Sequence, residues 1–364
     1  MLQYQIGLTL LPGVGDVLGK KLVAYCGGVE AVFKQKKAAL EKIPGIGQKL
    51  VDAILSQNVL SRAEEEMAFI EKNQVTTLFY LEKKYPARLK NCIDSPIMLY
   101  YKGNVDFNTP KVISVVGTRK ATEYGKEMCE RIIKELVGHG VMVVSGLAYG
   151  IDTCAHRASL EHKLKTVAVL GHGLDRLYPY LNTSLSKKIM DHGGLITEFM
   201  SKTKPDRENF PKRNRIIAGL ADATVVVEAA KSGGALITAE IANSYNRDVF
   251  SVPGRIGDTY SEGCNFLIKT NKAHLVQSAQ DIAYIMGWQR SNEIKPKIQR
   301  ELFVELSPDE EKITDVLRME DSMGIDDICY KTNLPSSKVA STLLNLEFEG
   351  LVRALPGKVY KLDM

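Results

Sequence analysis

No apolar run in this 364-residue chain approaches the roughly 20 residues that a membrane-spanning helix requires, so no transmembrane segment is expected. The opening Met1-Leu-Gln-Tyr-Gln lacks a basic stretch leading into an apolar one, and no secretory signal is expected at this start. The six cysteines (26, 92, 129, 154, 264 and 329) are scattered, without a CxxC pair or a histidine at metal spacing. They read as buried or free thiols of a reduced cytosol, which points to a cytoplasmic protein and supports no zinc site. Two nucleotide signatures are also missing. No strand-like run is followed by G-x-G-x-x-G, and no G-x-x-x-x-G-K-[ST] occurs, which disfavours dinucleotides and ATP held by the usual loops. No metal and no cofactor are expected.

What is present is an ordinary globular composition, 45% hydrophobic, at a length that suggests two or three domains. Charge divides the chain more sharply. Residues 1–85 carry 11 Lys/Arg against 9 Asp/Glu, residues 86–306 carry 30 against 23, and residues 307–364 carry 7 against 11. The positive surplus therefore belongs to the middle, where an anionic ligand would be held. The tail is acidic.

Residues 1–85 read as a helical domain with a weak internal repeat. Leu11-Pro-Gly-Val-Gly15 and Ile43-Pro-Gly-Ile-Gly47 each precede an amphipathic run, a pattern that resembles the helix-hairpin-helix. Such glycines let backbone amides approach a phosphate without sequence readout, and they equally make tight turns in a small helical domain. Lys20, Lys21 and Lys49 are the phosphate partners nearby. The run from Ser61 to Lys72 reads as a charged helix with Glu64, Glu65 and Glu66 on a solvated face.

Within the domain expected over 86–288, residues 86–110 read as a connector with a strand signal at Ile97-Met-Leu-Tyr-Tyr101, after which short apolar runs alternate with helix-length segments to about Trp288, the pattern of a doubly wound α/β domain with a mostly parallel sheet. Its organising stretch is Lys111-Val-Ile-Ser-Val-Val-Gly-Thr-Arg119, a buried strand, a glycine turn and then a helix. Ligands of such sheets sit at the carboxyl ends of the strands, where helix-start amides favour anions. Small residues follow neighbouring strands at Gly117-Thr118-Arg119, Gly146-Leu-Ala-Tyr-Gly-Ile-Asp152 (after the strand that ends at Ser145), Gly171-His-Gly173 and Lys231-Ser232-Gly233-Gly234. One glycine turn is a weak signal, but four point to a shared crevice. The second informative stretch, Glu208-Asn-Phe-Pro-Lys-Arg-Asn-Arg215, places Lys212, Arg213 and Arg215 with Phe210 and Asn214 at a helix start. Cations there oppose the helix dipole unless an anion is present. A salt bridge to Glu198 or Glu228 would account for one of them. Three beside an aromatic suit a phosphate backbone with a stacked base.

Gly117-Thr-Arg119, Ser145-Gly-Leu-Ala-Tyr-Gly-Ile-Asp152, Ala155-His156, Gly171-His-Gly-Leu-Asp-Arg-Leu-Tyr-Pro179, Phe210-Pro-Lys-Arg-Asn-Arg-Ile-Ile-Ala-Gly219, Ser232-Gly-Gly-Ala-Leu-Ile-Thr-Ala239 and Val252-Pro-Gly254 together resemble the DNA-processing protein DprA (Smf) family. The similarity runs from about Tyr85 to Leu267. It implies a Rossmann-like core with a helix-hairpin-helix (SAM-like) domain before it and a winged helix after it. The domains expected are 1–85, 86–288, a linker over 289–306, and 307–364. The resemblance further implies a homodimer formed through the Rossmann-like domain. Such a protein binds and protects incoming single-stranded DNA in natural transformation and loads the RecA recombinase onto it. The DNA-binding residues expected are Gly117, Thr118, Arg119, Ser145, Gly146, Lys187, Phe210, Lys212, Arg213, Asn214, Arg215, Lys231, Ser232 and Gly233. Two departures stand out: Thr118 replaces the usual serine, and Tyr180 stands where many relatives have a DNA-contacting lysine after Tyr178-Pro179. Either a stacking contact replaces that charge, or Lys187 reaches in.

An enzyme reading competes. Nucleotide hydrolases of the Rossmann-like, lysine-decarboxylase-like group carry Gly-Gly-x-Gly-Thr-x-x-Glu, and Gly233-Gly-Ala-Leu-Ile-Thr-Ala-Glu240 keeps the paired glycines and the glutamate. Leu236 and Ile237 replace the Gly-Thr that makes the phosphate turn. Asp152 and His156 share a helix face, where a hydrogen bond between them accounts for the spacing better than acid–base catalysis, because no nucleophile accompanies them. No catalytic residue is expected. For dimerisation, the stretch from Cys264 to Trp288 offers Phe266, Leu267, Ile268, Leu275, Val276, Ile282, Ile285 and Met286, of which some fill the local core. In the tail, three helices and two strands make the winged helix. Its third helix offers Lys338 as a cation and ends on Glu347 and Glu349, so it reads as a protein-contact or positioning module.

Overall fold

The computed structural model describes residues 1–288, 306–320 and 322–362. The linker expected over 289–306 lies outside them except for Leu306.

Nine strands form the central sheet: β1 (Thr76–Phe79), β2 (Met98–Gly103), β3 (Val112–Gly117), β4 (Met142–Ser145), β5 (Thr166–Val169), β6 (Gly193–Thr197), β7 (Ala223–Glu228), β8 (Asp248–Ser251) and β9 (His274–Leu275). Their spatial order is β1-β2-β6-β5-β4-β3-β7-β8-β9. The seven strands from β6 to β9 are parallel, while β2 pairs antiparallel with β6 and β1 antiparallel with β2. From β3 the chain winds outward through β4, β5 and β6, then returns to β7 and continues to β9 on the other side. The winding direction therefore reverses between β3 and β7, and a crevice opens at the carboxyl ends there. Because strand side chains alternate, Val112 and Val116 face one core and Ile113 and Val115 the other. Helices Asn209–Leu220 and Gly234–Ser244 cover the first face, and Glu123–Leu136 and Ile151–Glu161 the second.

The sheet begins at Thr76 rather than after residue 85, since β1 pairs with β2. Before it stand six helices, Leu2–Leu10, Asp16–Cys26, Val29–Lys34, Lys37–Leu40, Gln48–Ser56 and Val59–Lys72. Both hairpin turns use a left-handed glycine, Gly13 at φ 74° and Gly45 at φ 86°. The first hairpin is closed against the core: Asp16 accepts from the Ile97 amide at 2.8 Å, and Lys20 donates to Ser95 Oγ at 2.6 Å. Glu66 does not lie on a solvated face. It is 1% exposed, pairs with Arg62 at 2.9 Å and accepts from the Ser201 amide at 2.8 Å. A helix pattern shows which residues share a face, but here the loop after β6 covers part of the polar one.

In the stretch expected to dimerise, Leu267, Val276 and Ile282 are buried in the core, whereas Phe266, Leu275, Tyr284 and Ile285 are exposed. The tail folds as helices Pro308–Arg318, Ile325–Thr332 and Ser336–Phe348 with strands β10 (Met323–Gly324), β11 (Val352–Leu355) and β12 (Val359–Leu362) in the order β10-β12-β11, a winged helix. Ser307 and Glu310 form a capping box at its first helix, worth about 1 kcal/mol. Lys338 is paired with Asp309 at 3.2 Å. The wing turn rests on the core where Arg247 donates to the Pro356 carbonyl at 2.7 Å, beside the amino end of β8.

Candidate nucleic-acid interface

Helix Asn209–Leu220 starts at the carboxyl edge and clamps the loops that end there. Arg213 donates from Nη1 to the Gly146 carbonyl after β4 and to the Val169 carbonyl of β5, the latter at 2.5 Å. Asn214 donates to the Gly234 carbonyl at 3.2 Å, which ties in the Lys231-Ser232-Gly233 loop. Phe210 packs against Gly171, after β5. The loop after β4 packs on the loop after β3, for the Ile151 amide donates to the Thr118 carbonyl at 3.2 Å. Gly150 makes that approach possible: it sits at φ 77°, and a β-carbon there would overlap the same carbonyl. The four glycine turns thus do meet at one edge.

The cations divide into two groups. Arg119, Lys212 and Lys231 are exposed. Arg213 is only 5% exposed, and burial pushes its guanidinium down to about 10. Its charge faces Asp152 across Gly146, where a β-carbon would crowd both side chains. Burial raises the Asp152 carboxyl in spite of Arg213. Arg215 turns toward the N-terminal helices, pairing with Asp16 at 3.0 Å and with Glu198, and donating to the Asp94 carbonyl at 2.5 Å. Both arginines therefore bond within the protein, and the salt bridge expected to Glu198 is made by Arg215. Glu228 takes a different role. It accepts from the Thr122 amide at 2.9 Å and from Thr122 Oγ1 at 2.6 Å, so the helix start after Gly117-Thr118-Arg119 already holds an internal carboxylate.

Phe210 lies between the two groups. Its ring centroid is 5.5 Å from the Arg119 guanidinium carbon, 5.9 Å from that of Arg213 and 6.0 Å from the Tyr178 ring. Ser145 is buried and donates to the Val115 carbonyl at 2.6 Å, a bond between strands. Gly117 packs against Ile151. Lys187 is exposed on helix Thr183–His192 and makes no hydrogen bond or ion pair among the described residues. Tyr180, singled out in the sequence for a stacking contact, is exposed, and Tyr149 and Tyr178, exposed in the loops after β4 and β5, extend the aromatic surface beyond the residues picked out from the sequence. The signal that would have found them is an aromatic close behind each glycine turn.

Two features bear on turnover. His156 and Asp152 do not bond to each other. His156 Nδ1 faces Thr166 Oγ1 at 2.8 Å, and burial pushes the ring down to about 3. Glu240 is exposed and points to Lys272 at 3.6 Å, away from the Gly233 turn.

Burial also pushes Glu198 up to about 7, against the opposing pull of Arg215 and with Asp16, Lys212 and Asp94 nearby. A carboxyl held above its unfolded value of about 4.3 favours the folded state while protonated. That contribution is complete below about pH 4.3 and is lost as pH rises toward about 7. Glu198→Gln stays neutral throughout. Relative to the parent chain it should therefore gain up to about 1.4 kcal/mol of stability per pH unit across that window. Urea melts at pH 5 and pH 8 check this, and an equal difference at both pH values would refute it.

Residues 76–287 match the family model for DNA recombination-mediator protein A, residues 303–358 the DprA winged helix domain, and residues 6–57 a SAM-like helix-hairpin-helix tandem. Protein Smf of Synechocystis is 33% identical, with 98% of each chain aligned. DNA processing protein DprA of Streptococcus pneumoniae is 43% identical over 56% of this chain and 71% of its own length. A crystal structure of the Streptococcus pneumoniae protein superposes with a TM-score of 0.68 at 32% identity, covering 78% of this chain and 98% of that one. DNA processing protein A from Helicobacter pylori, whose structure describes a single-stranded DNA binding mode, gives a TM-score of 0.54 at 27% identity, covering 59% of this chain and 98% of its own. With the core and both flanking domains matched by family models and a relative aligned over 98% of each chain, the chain belongs to the DNA-processing protein A (DprA, Smf) family.

Proposed function

We propose that this chain binds single-stranded DNA along the carboxyl edge of its sheet. It protects the incoming strand in natural transformation and loads the RecA recombinase onto it, as a cytoplasmic homodimer. The observation that carries this is the half-exposed Phe210 ring with Arg119 beside it, at the point where the winding reverses. A phosphate backbone meets Arg119, Lys212 and Lys231, while a base stacks at Phe210. Gly117, Thr118, Ser145, Gly146, Ser232 and Gly233 keep the edge low enough for the strand to approach. Arg213, Asn214 and Arg215 shape it from beneath. The relation to the Helicobacter pylori protein, with its single-stranded DNA binding mode, supports the assignment. The role is binding without turnover.

Fluorescence anisotropy with single- and double-stranded oligonucleotides across a salt series tests it. Affinity should fall with a log–log slope of roughly −0.7 per phosphate neutralised, and a flat response would remove the electrostatic basis.

The dimer is assigned to the edge around β9, where Phe266, Leu275, Tyr284 and Ile285 stand exposed beside a two-residue edge strand. Phe266→Glu is expected to give monomers in sedimentation velocity without loss of helix content. A variant that still sediments as a dimer would move the interface elsewhere. The winged helix is assigned to protein contact. Its recognition helix has its only cation tied to Asp309, and it exposes Leu344 and Phe348 one turn apart.

A further inference from the structure

Two cysteines meet between the helices that follow β3 and β4. Cys129, on helix Glu123–Leu136, belongs to the core on that side of the sheet, and Cys154, on helix Ile151–Glu161, packs against it. Each thiol reaches the backbone of the opposite helix. The Cys129 sulfur faces the Ile151 carbonyl at 4.0 Å, and the Cys154 sulfur faces the Lys126 carbonyl at 3.6 Å. Ile151 is three residues before Cys154, and Lys126 three before Cys129. A helical carbonyl lies against the side chain three or four positions further on, which is why small side chains bond back to it. A thiol on the Ile151 carbonyl is therefore beside Cys154, and one on the Lys126 carbonyl is beside Cys129. The crossed contacts set sulfur against sulfur. Closing a disulfide from there is a short approach of two packed helices, not a rearrangement.

The two thiols differ in the way a reacting pair requires. Cys129 is wholly buried, whereas Cys154 is partly exposed. The hydrogen bond between them draws Cys154 below the usual thiol range, with Lys126 and Arg157 assisting against burial and Glu130. The same bond, together with burial, holds Cys129 well above that range. Burial raises Cys26, Cys92 and Cys264 as well. Among the described residues Cys154 is the one thiol displaced toward its reactive anion.

We infer that Cys154 and Cys129 form a peroxide-reactive dithiol, closing to a disulfide that weakens the DNA-binding edge; the effect on DNA rests on the function proposed above. The Cys154 thiolate attacks one oxygen of hydrogen peroxide. The O–O bond breaks, hydroxide leaves and takes up the thiol proton as water, and Cys154 becomes a sulfenic acid. The Cys129 sulfur then attacks the Cys154 sulfur. The S–O bond breaks, and the departing hydroxide takes the Cys129 proton as a second water. Two thiols together lose two electrons and two protons, and one peroxide is reduced to two waters. A small dithiol reverses the closure by exchange.

A disulfide holds its sulfurs at about 2.05 Å, closer than two thiols in contact, so closure draws the start of helix Ile151–Glu161 toward helix Glu123–Leu136. That start has no slack, since even a β-carbon on Gly150 would overlap the Thr118 carbonyl and the Arg119 backbone. The movement presses on the segment that carries Arg119.

The test treats the full chain with hydrogen peroxide, maps its peptides without reduction and reads oligothymidine binding by anisotropy. The parent chain should lose two hydrogen atoms in intact mass and give a peptide linked through Cys129 and Cys154. Its affinity should fall about tenfold, the equivalent of losing the Arg119 contact, and dithiothreitol should restore both mass and affinity. Cys129→Ala, which keeps a small apolar side chain at the buried position, should stop at a sulfenic acid on Cys154 that dimedone traps. Cys154→Ser should form no bridge and keep its affinity after peroxide, with melts of both variants showing that they are folded. In Arg119→Ala the bridge should form with no further loss, because changes acting through one residue do not add. Peroxide that leaves Cys154 unmodified, oxidises Cys26 or Cys329 first, or links two copies of the chain overturns the inference. A Cys129–Cys154 bridge with unchanged affinity overturns its effect on the edge. If the reduced parent chain binds no single strand, the proposed function falls, while the peptide map still decides the disulfide.

Discussion

Arg213→Ala is expected to destabilise the core by about 3–5 kcal/mol, although Arg213 sits in the most basic motif of the chain. The side chain is buried and holds the carbonyls that end β4 and β5. Removing it strands those acceptors at about 1–3 kcal/mol each if water does not reach them. It also removes the cation set against the buried Asp152. The cost of burying the guanidinium is recovered, but breaking a buried charge pair from one side leaves the other charge uncompensated, and that loss is the larger. A fall in apparent Tm of roughly 10 °C should follow in a circular-dichroism melt. Adding Asp152→Asn should restore part of it, since the stranded charge is then gone. If Arg213→Ala instead melted with the parent chain and lost DNA affinity, Arg213 would be a DNA contact.

Arg119→Ala should behave in the opposite way. Its guanidinium is exposed, and the cation–π contact over Phe210 is worth only about 0.5–1 kcal/mol at such a site, so the melt should barely move. Single-strand affinity should fall about tenfold, the equivalent of 1.4 kcal/mol. With one phosphate fewer neutralised, the log–log salt slope should also flatten by roughly 0.7. An unchanged slope would mean that Arg119 orients Phe210 rather than meeting a phosphate. Measured together, the two arginines separate holding the site from using it.

Why the two differ was partly visible in the residue order. Arg213 is spaced i, i+3, i+4 and i+7 with Ile216, Ile217 and Leu220, so it lies on the face that helix Asn209–Leu220 turns to the sheet. Lys212, one position earlier, falls outside that stripe. The spacing therefore contained the warning, but the mere presence of basic residues near an aromatic does not convey it. Arg215 is a harder case. Its partners Asp16 and Glu198 lie 199 and 17 residues away, and no periodicity links them.

The strands, their parallel arrangement and the glycine turns were determined by local chemistry. β-Branched runs of four to six residues, turns needing positive φ, and helix-length spacers act within a few residues, so their order in the chain carries the architecture. Three things were decided only in tertiary structure. One is which cations remain exposed, because a charge stays free or becomes buried according to what packs over it. Another is the fate of the anion-favouring helix start after Arg119, which Glu228 fills from the end of β7. The last is the aromatic ledge, because Tyr178 and Phe210 lie 32 residues apart and meet only when the loops after β5 and β6 converge on one edge. Such contacts depend on which strands become neighbours, a property of the whole sheet and not of any stretch within it.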